Sequence, residues 1–267
     1  EGQAYGILLA SIFDEQTLLD NLWMFAADHL NQNGLMHWNI ASYGNLAGSG
    51  AASDADFDIA LGMIYACLKV ERNLWPASTS GYDYCQIAQD MIDAIWQHEI
   101  DFPGASTNGG LDNNPGYEIM PGDFWDLKGE YPDGITNLSY FSPAYFRIFA
   151  QFTGNDEWNR VIERQYELAE QTQTVIADNC SGLVPNWSTY NADYQYVDWH
   201  GPTSEYFGWD GARFAWRVAL DRHWFNSAES NIHMNRIGGF FSSIGASAVR
   251  AEYRLDGTPV NSYGNAF

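Results

Sequence analysis

Apolar residues return at helical spacing along most of this chain, and that period leaves little choice of fold class. Leu18, Leu19, Leu22, Phe25, Ala26 and Leu30 stripe one segment after Asp14, and Ile59, Met63, Ile64, Cys67 and Val70 stripe another. The same spacing predicts helices over 82–98 (Ile87, Met91, Ile92, Ile95), 142–153, 156–177 (Val161, Ile162, Leu168, Ala169), 210–225 and 228–246. With a short one near 3–13, that makes about eight. They come in pairs joined by short turns. Between pairs lie long loops, 38–52, 100–138 and 181–209, rich in Gly, Asn, Asp, Pro and Ser. Loops of that length in a compact domain usually serve as binding walls or lids. The pattern predicts one all-α domain over residues 1–267, either helical hairpins stacked around an axis with the loops gathered at one end, or an irregular bundle.

Charge narrows the ligands. Twelve Lys and Arg stand against 34 Asp and Glu, a formal charge of −22. Such a surface repels phosphate backbones and anionic headgroups, so nucleic-acid and membrane partners are not expected. Neutral or cationic ligands remain. The 11 Trp, 16 Tyr and 15 Phe are more than a core of this size needs. Most are expected to pack inside, and the rest suit flat, uncharged CH surfaces such as sugar rings. Cys67, Cys85 and Cys180 form no C-x-x-C pair and leave at least one unpaired, so a disulfide or zinc framework is not indicated, and the three are either free or partly paired. No apolar run approaches the ~18 to 20 residues of a membrane span, and no signal peptide is evident in a chain that begins at Glu1.

Three acidic segments stand out. Ser53-Asp54-Ala55-Asp56-Phe57-Asp58 heads a strongly apolar helix; Ser53 with Asp56 fits a capping box, and acids favour a helix N-terminus. A calcium loop does not fit, because its sixth and twelfth positions would be Ile59 and Tyr65 rather than Gly and Glu. In Tyr206-Phe207-Gly208-Trp209-Asp210-Gly211-Ala212-Arg213, Asp210 stands where a helix begins. It could cap that helix or pair with Arg213 three residues on. Glu1-Gly2-Gln3-Ala4-Tyr5-Gly6 reads by composition alone as a frayed terminus.

Together these segments resemble glycoside hydrolase family 8. The family's general acid stands in a motif like S-E-G-x-x-Y-G, which this chain enters at its second letter with Glu1. Its signature A-[ST]-D-[AG]-D-x-x-[IM]-A is met by Ala52 to Ala60. An aromatic-x-aromatic-D-x-x-R block continuing into W-R and W-F is met from Tyr206 through Arg213, Trp216, Arg217, Trp224 and Phe225. Similar stretches run in the family's order at Gly34–Trp38, Pro121–Trp125, Asn137–Ala144 and Gly182–Pro185.

The resemblance implies an (α/α)6 toroid of six helix hairpins and hydrolysis of β-1,4-linked polysaccharide, with no metal or cofactor. It assigns Glu1 as general acid and Asp210 as general base, the latter marking an Asp-base subfamily. Asp54 is implied to hold the sugar at the cleavage subsite in a distorted ring. Trp38 and Trp125 are implied as stacking platforms, Tyr140 as a neighbour of the attacking water, and Arg213 as a clamp on carboxylates. Inversion requires an acid to protonate the leaving oxygen and a base to activate water on the opposite face. Clustered acids also raise one another's proton affinity, which helps an acid stay protonated.

Within the family, cellulose or β-glucan is the first expectation, xylan the second and chitosan the third; a non-catalytic glycan-binding remnant is the alternative from another class. A secreted or periplasmic monomer is implied. About eight helices stand where the toroid has twelve, so the chain is expected to lack both flanks of the family or to close its ring otherwise.

Overall fold

The structure, a computed structural model, describes residues 1–104, 115–123, 131–174, 181–193, 195–198 and 200–264. Its helices are α1 (Gly2–Ile12), α2 (Gln16–Ala27), α3 (Ser53–Glu71), α4 (Tyr84–His98), α5 (Pro143–Thr153), α6 (Trp158–Thr174), α7 (Gly211–Phe225) and α8 (Ala228–Ile244). The predicted helices are therefore all found, with ends moved by one to three residues. Two antiparallel strand pairs sit in the predicted loops: β1 (Asn39–Ile40) with β2 (Leu46–Gly48), and β3 (Ile100–Asp101) with β4 (Glu118–Ile119).

Local chemistry sets the helix ends. Asp83 starts α4 by accepting from the amides of Cys85 and Gln86, both at 3.1 Å. Pro143 opens α5, where its missing N–H costs no helical bond, and Gly154 closes it in the left-handed region at φ 70°. Ser227 caps α8 through the amide of Ser230 at 3.2 Å. The capping box expected at α3 does not form: Ala52 holds the N-cap position, and the Ser53 hydroxyl donates to the Met120 carbonyl at 2.6 Å. That bond ties the head of α3 to the segment after β4.

Consecutive helices pair as α1–α2, α3–α4, α5–α6 and α7–α8. The first member of each pair packs against the first member of the next, giving an inner row α1, α3, α5, α7 backed by an outer row. Four hairpins of an (α/α)6 toroid are thus present among the described residues. Helix α3 is central, and every residue from Asp56 to Ile64 is buried. Gly62 lets α1 approach closely, since a Cβ there would lie 3.0 Å from Ile7 Cγ2 and 3.1 Å from Leu8 Cα. Between α3, α5 and α6, the rings of Phe57 and Phe146 meet at 5.0 Å, and Trp158 closes on Phe146 at 5.0 Å and Phe149 at 5.5 Å. Most aromatic residues do pack in this core.

The pairing that the sequence leaves open is now seen: Cys67 and Cys85 form a disulfide. The hairpin brings the late part of α3 alongside the start of α4, a proximity that the sequence separation of 18 does not reveal. Cys180 and Trp125 lie outside the described residues. Among the described residues, no helix is long and apolar enough to cross a membrane.

Candidate active site

The inner helices bring their N-termini to one end of the fold, where backbone N–H groups carry partial positive charge and favour carboxylates. Glu1 is the N-cap residue of α1, Asp54 lies in the first turn of α3, and Asp210 is the N-cap residue of α7. Tyr140 ends a short 3-10 turn, Leu138–Tyr140, just before α5. Each hairpin delivers one group.

Arg213 joins them. Its Nη1 donates to Asp54 Oδ2 at 2.7 Å and to Glu1 Oε1, and its Nη2 donates to Asp210 Oδ1 at 2.9 Å. The guanidinium carbon stands 5.8 Å from the centre of the Tyr140 ring. One planar cation thus gathers three carboxylates from segments remote in sequence. Asp210 makes no side-chain cap, and its pairing with Arg213 is the second of the two bonds the sequence left open. Glu1 is not frayed: its Oε1 also accepts from the Tyr5 hydroxyl at 2.7 Å.

The acids differ in environment. Asp54 is 4% exposed. Burial pushes its pKa up to about 6 against the pull of Arg213 and Arg217, with the charges of Glu1 and Asp58 adding to the rise. For Asp210, burial also favours the neutral form, but donors outweigh it and leave its pKa below the ordinary carboxylate value. Those donors are His200 Nε2 at 3.4 Å, the Arg213 guanidinium and Asn137 Nδ2 at 3.3 Å. Burial, then the negative charge of Asp54, holds the Tyr140 hydroxyl protonated far above its ordinary range.

One turn further along the helices lies a second, drier layer. Arg217 donates from both Nη1 and Nη2 to Asp58 at 3.0 Å, and both side chains are fully buried. Tyr145 and Trp216 flank that guanidinium at 5.3 and 4.9 Å. Asp54 and Asp58 on α3 therefore face Arg213 and Arg217 on α7 as two stacked rungs, each four residues apart. The lower rung fixes the rotation of both helices and so the placement of the upper. Asp56 turns away, accepting from the Met36 amide at 3.2 Å; neither it nor Asp58 caps the helix.

Beside the carboxylates, a cavity of about 260 Å³ is lined by Glu1, Phe25, Met36, Trp38 and Ala55, among others. Trp38 is 58% exposed, with Gly48 of β2 against its indole: a Cβ at Gly48 would come within 2.4 Å of the ring. The hairpin carrying Gly48 is held by His29, whose Nδ1 and Nε2 stand 2.7 and 3.0 Å from the carbonyl oxygens of Phe25 and Gly44. Asp123 steadies the same region by accepting from Asn31, Asn33 and the Ala51 amide at 2.7 to 2.9 Å.

The structure thus brings Glu1, Asp54, Asp210, Arg213 and Tyr140 together and sets Trp38 on the adjoining cavity; Trp125 falls outside the described residues. Sequence reasoning missed His200, which sits in an irregular loop with no periodic signal. It also missed the Asp58–Arg217 rung, whose two members lie 159 residues apart.

Residues 1–266 match the family described as Glycosyl hydrolases family 8. The chain is 33% identical over 270 residues to Endoglucanase A of Acetivibrio thermocellus, covering 100% of this chain and 50% of that protein. It is 36% identical to Endoglucanase 2 of Ruminiclostridium josui, covering 98% and 50%. The chain spans about half the length of these curated relatives. Among solved structures, a β-1,3-1,4-glucanase from Paenibacillus sp. X4 superposes with a TM-score of 0.80 at 23% identity, over 98% of this chain and 68% of that one. Rex8A from Paenibacillus barcinonensis, complexed with xylose, superposes with a TM-score of 0.75 at 24% identity, over 98% and 66%. With the motifs in order, the hairpin fold, and a match along nearly the whole sequence, the chain belongs to glycosyl hydrolases family 8.

Proposed function

We propose that this chain carries out inverting endo-hydrolysis of β-1,4-glycosidic bonds in cellulose or β-glucan. The observation that carries the reading is the convergence of Glu1, Asp54 and Asp210 on Arg213 at the mouth of the inner helices. The endoglucanase names of relatives at 33 and 36% identity support the substrate class.

In this reading Glu1 protonates the glycosidic oxygen as the bond to the leaving sugar breaks. Asp210 takes a proton from the water attacking the anomeric carbon from the opposite face. A carboxyl held below its ordinary pKa is ionised and ready for that role across the neutral and mildly acidic range. Asp54 hydrogen-bonds ring hydroxyls at the cleavage subsite, Tyr140 borders the attacking water, and Arg213 keeps the carboxylates in register. Trp38 offers an aromatic face to a neighbouring ring. Export to the periplasm or medium as a monomer belongs to the same proposal, and the Cys67–Cys85 disulfide supports an oxidising compartment.

Reducing-sugar release from carboxymethyl-cellulose, xylan and chitosan tests the reading with wild type, Glu1→Gln and Asp210→Asn. Release should be greatest on the glucan and abolished in both variants, with polymer binding kept. Xylan is the second reading, favoured by 26% identity to a reducing-end xylose-releasing exo-oligoxylanase. Binding without release by wild type would leave a glycan-binding remnant. NMR of fresh products should show the α-anomer, and initial β-product would contradict inversion.

A further inference from the structure

The described residues place one imidazole within reach of the proposed base, and its other ring nitrogen is also engaged. His200 Nε2 stands 3.4 Å from Asp210 Oδ2, within ion-pair distance and just beyond the usual hydrogen-bond range of about 2.7–3.2 Å. On the far side of the ring, Nδ1 stands 3.2 Å from Thr203 Oγ1. A carboxylate oxygen only accepts, so the Asp210 contact requires the proton on Nε2. The Thr203 hydroxyl also lies 3.3 Å from the His200 carbonyl oxygen, so it anchors the far side of the ring to its own loop. The turn Pro202–Glu205 holds that hydroxyl in place, with its own amide bonds closing on Gly201 and Thr203.

We propose that His200 is a positioning residue for Asp210: with its ring anchored by Thr203, its Nε2–H aims the Asp210 carboxylate. This rests on the reading of Asp210 as general base.

The arrangement divides labour over the two carboxylate oxygens. Oδ1 is occupied by Arg213 at 2.9 Å. Oδ2 receives Asn137 at 3.3 Å and His200 at 3.4 Å, so both its lone-pair sites face donors, while Oδ1 with its single donor keeps a site for a water. Two donors from different loops define the plane of the carboxylate more tightly than Arg213 can alone. The charged groups that bear on Asp210 are Arg213 on α7 and His200 on its loop, while Glu1 from α1 and Asp54 from α3 act through the shared guanidinium. Of these, His200 touches no other carboxylate in the cluster, so it can be removed without releasing Glu1 or Asp54.

The test uses the full-length protein. His200→Ala should lower kcat by about 10²-fold, the order expected when a reacting group loses its aim, with KM little changed. It should also move the acidic limb of the kcat/KM profile to higher pH, because the carboxyl loses a donor that favours its charged form. His200→Gln, whose amide can still donate, should recover most of the rate. Thr203→Val should fall between wild type and His200→Ala, since the ring loses its anchor on the far side.

A merely structural role would lower the unfolding midpoint in both His200 variants and leave the acidic limb in place, which would overturn the proposal. The failure of the parent reading is distinct: Asp210→Asn would then retain turnover, whatever His200 does. A measurement independent of turnover is the titration of the Asp210 carboxyl by 13C NMR. Its pKa should rise in His200→Ala and return toward wild type in His200→Gln, and an unchanged value would sink the inference.

Discussion

Asp54 gives the sharpest numerical test, because its burial should leave a pH signature in stability. The carboxyl titrates at about 6 in the native state against an ordinary value of 3.8. Each pKa unit is worth 1.36 kcal/mol, so ionising Asp54 disfavours the folded state by about 3 kcal/mol. The direction follows from proton binding. Between these two pKa values the native state holds the proton and the unfolded state has lost it, so stability falls as pH rises through this window and levels off above it. Asp54→Asn removes the titration. Its other effect, freeing one donor of Arg213, changes little with pH because the guanidinium stays charged. Urea unfolding of both proteins at half-unit steps from pH 4 to 8 should show the variant gaining about 2 kcal/mol relative to wild type between pH 4 and 7, the rest lying below pH 4 where the unfolded carboxyl begins to ionise. Curves that stay parallel across that range would refute the reasoning. The native protein then carries an acid that weakens its own fold at neutral pH, as expected where a group is kept for chemistry.

Three further outcomes follow from the geometry. Arg217→Met leaves Asp58 buried without its cation and should cost about 3–5 kcal/mol in urea unfolding. Adding Asp58→Asn should recover part of that loss, and purely additive losses would contradict a coupled pair. Replacing Cys67 and Cys85 with Ser opens a loop of sequence separation 18 and should cost about 3 kcal/mol, measured by thermal or denaturant unfolding. His29 faces two carbonyl acceptors, so both contacts bond only when both ring nitrogens carry protons. The bond to Phe25, then that to Gly44, raises its pKa. Its stabilising contribution is therefore present below the unfolded value of about 6.5 and disappears as pH rises through the native pKa. His29→Leu should erase that component from stability measured between pH 6 and 9, and an unchanged pH dependence would show that the bridge carries no weight.

The helices were legible because burial on one face imposes a spacing that any reader can count. Their mutual arrangement was only partly so: pairing by short turns pointed to hairpins, and the family motifs supplied the ring. Capping was misread at Ser53 because its hydroxyl is taken by a partner remote in sequence, the Met120 carbonyl 67 residues away. Distance explains the other gaps. Arg217 and Asp58 are 159 residues apart, and nothing local marks either as the partner of the other. Arg213 and Asp210 could be paired from their three-residue spacing, but the capture of Glu1 and Asp54 by the same guanidinium could not. His200 was invisible because its relation to Asp210 depends on how one irregular turn folds back.

The inner row of helices also bears on how such a site can change. The chain visits the end where Arg213 lies once per hairpin, leaving Glu1, Asp54, Tyr140 and Asp210 of the proposed site there on successive passes. No segment owns the site, and none supplies two of its four corners. A lengthened loop at this end can reshape one wall while the other three keep their positions, since the helices beneath are held by their own packing. Diversification of the cleft can therefore proceed corner by corner, with Arg213 as the point at which every such change must still agree.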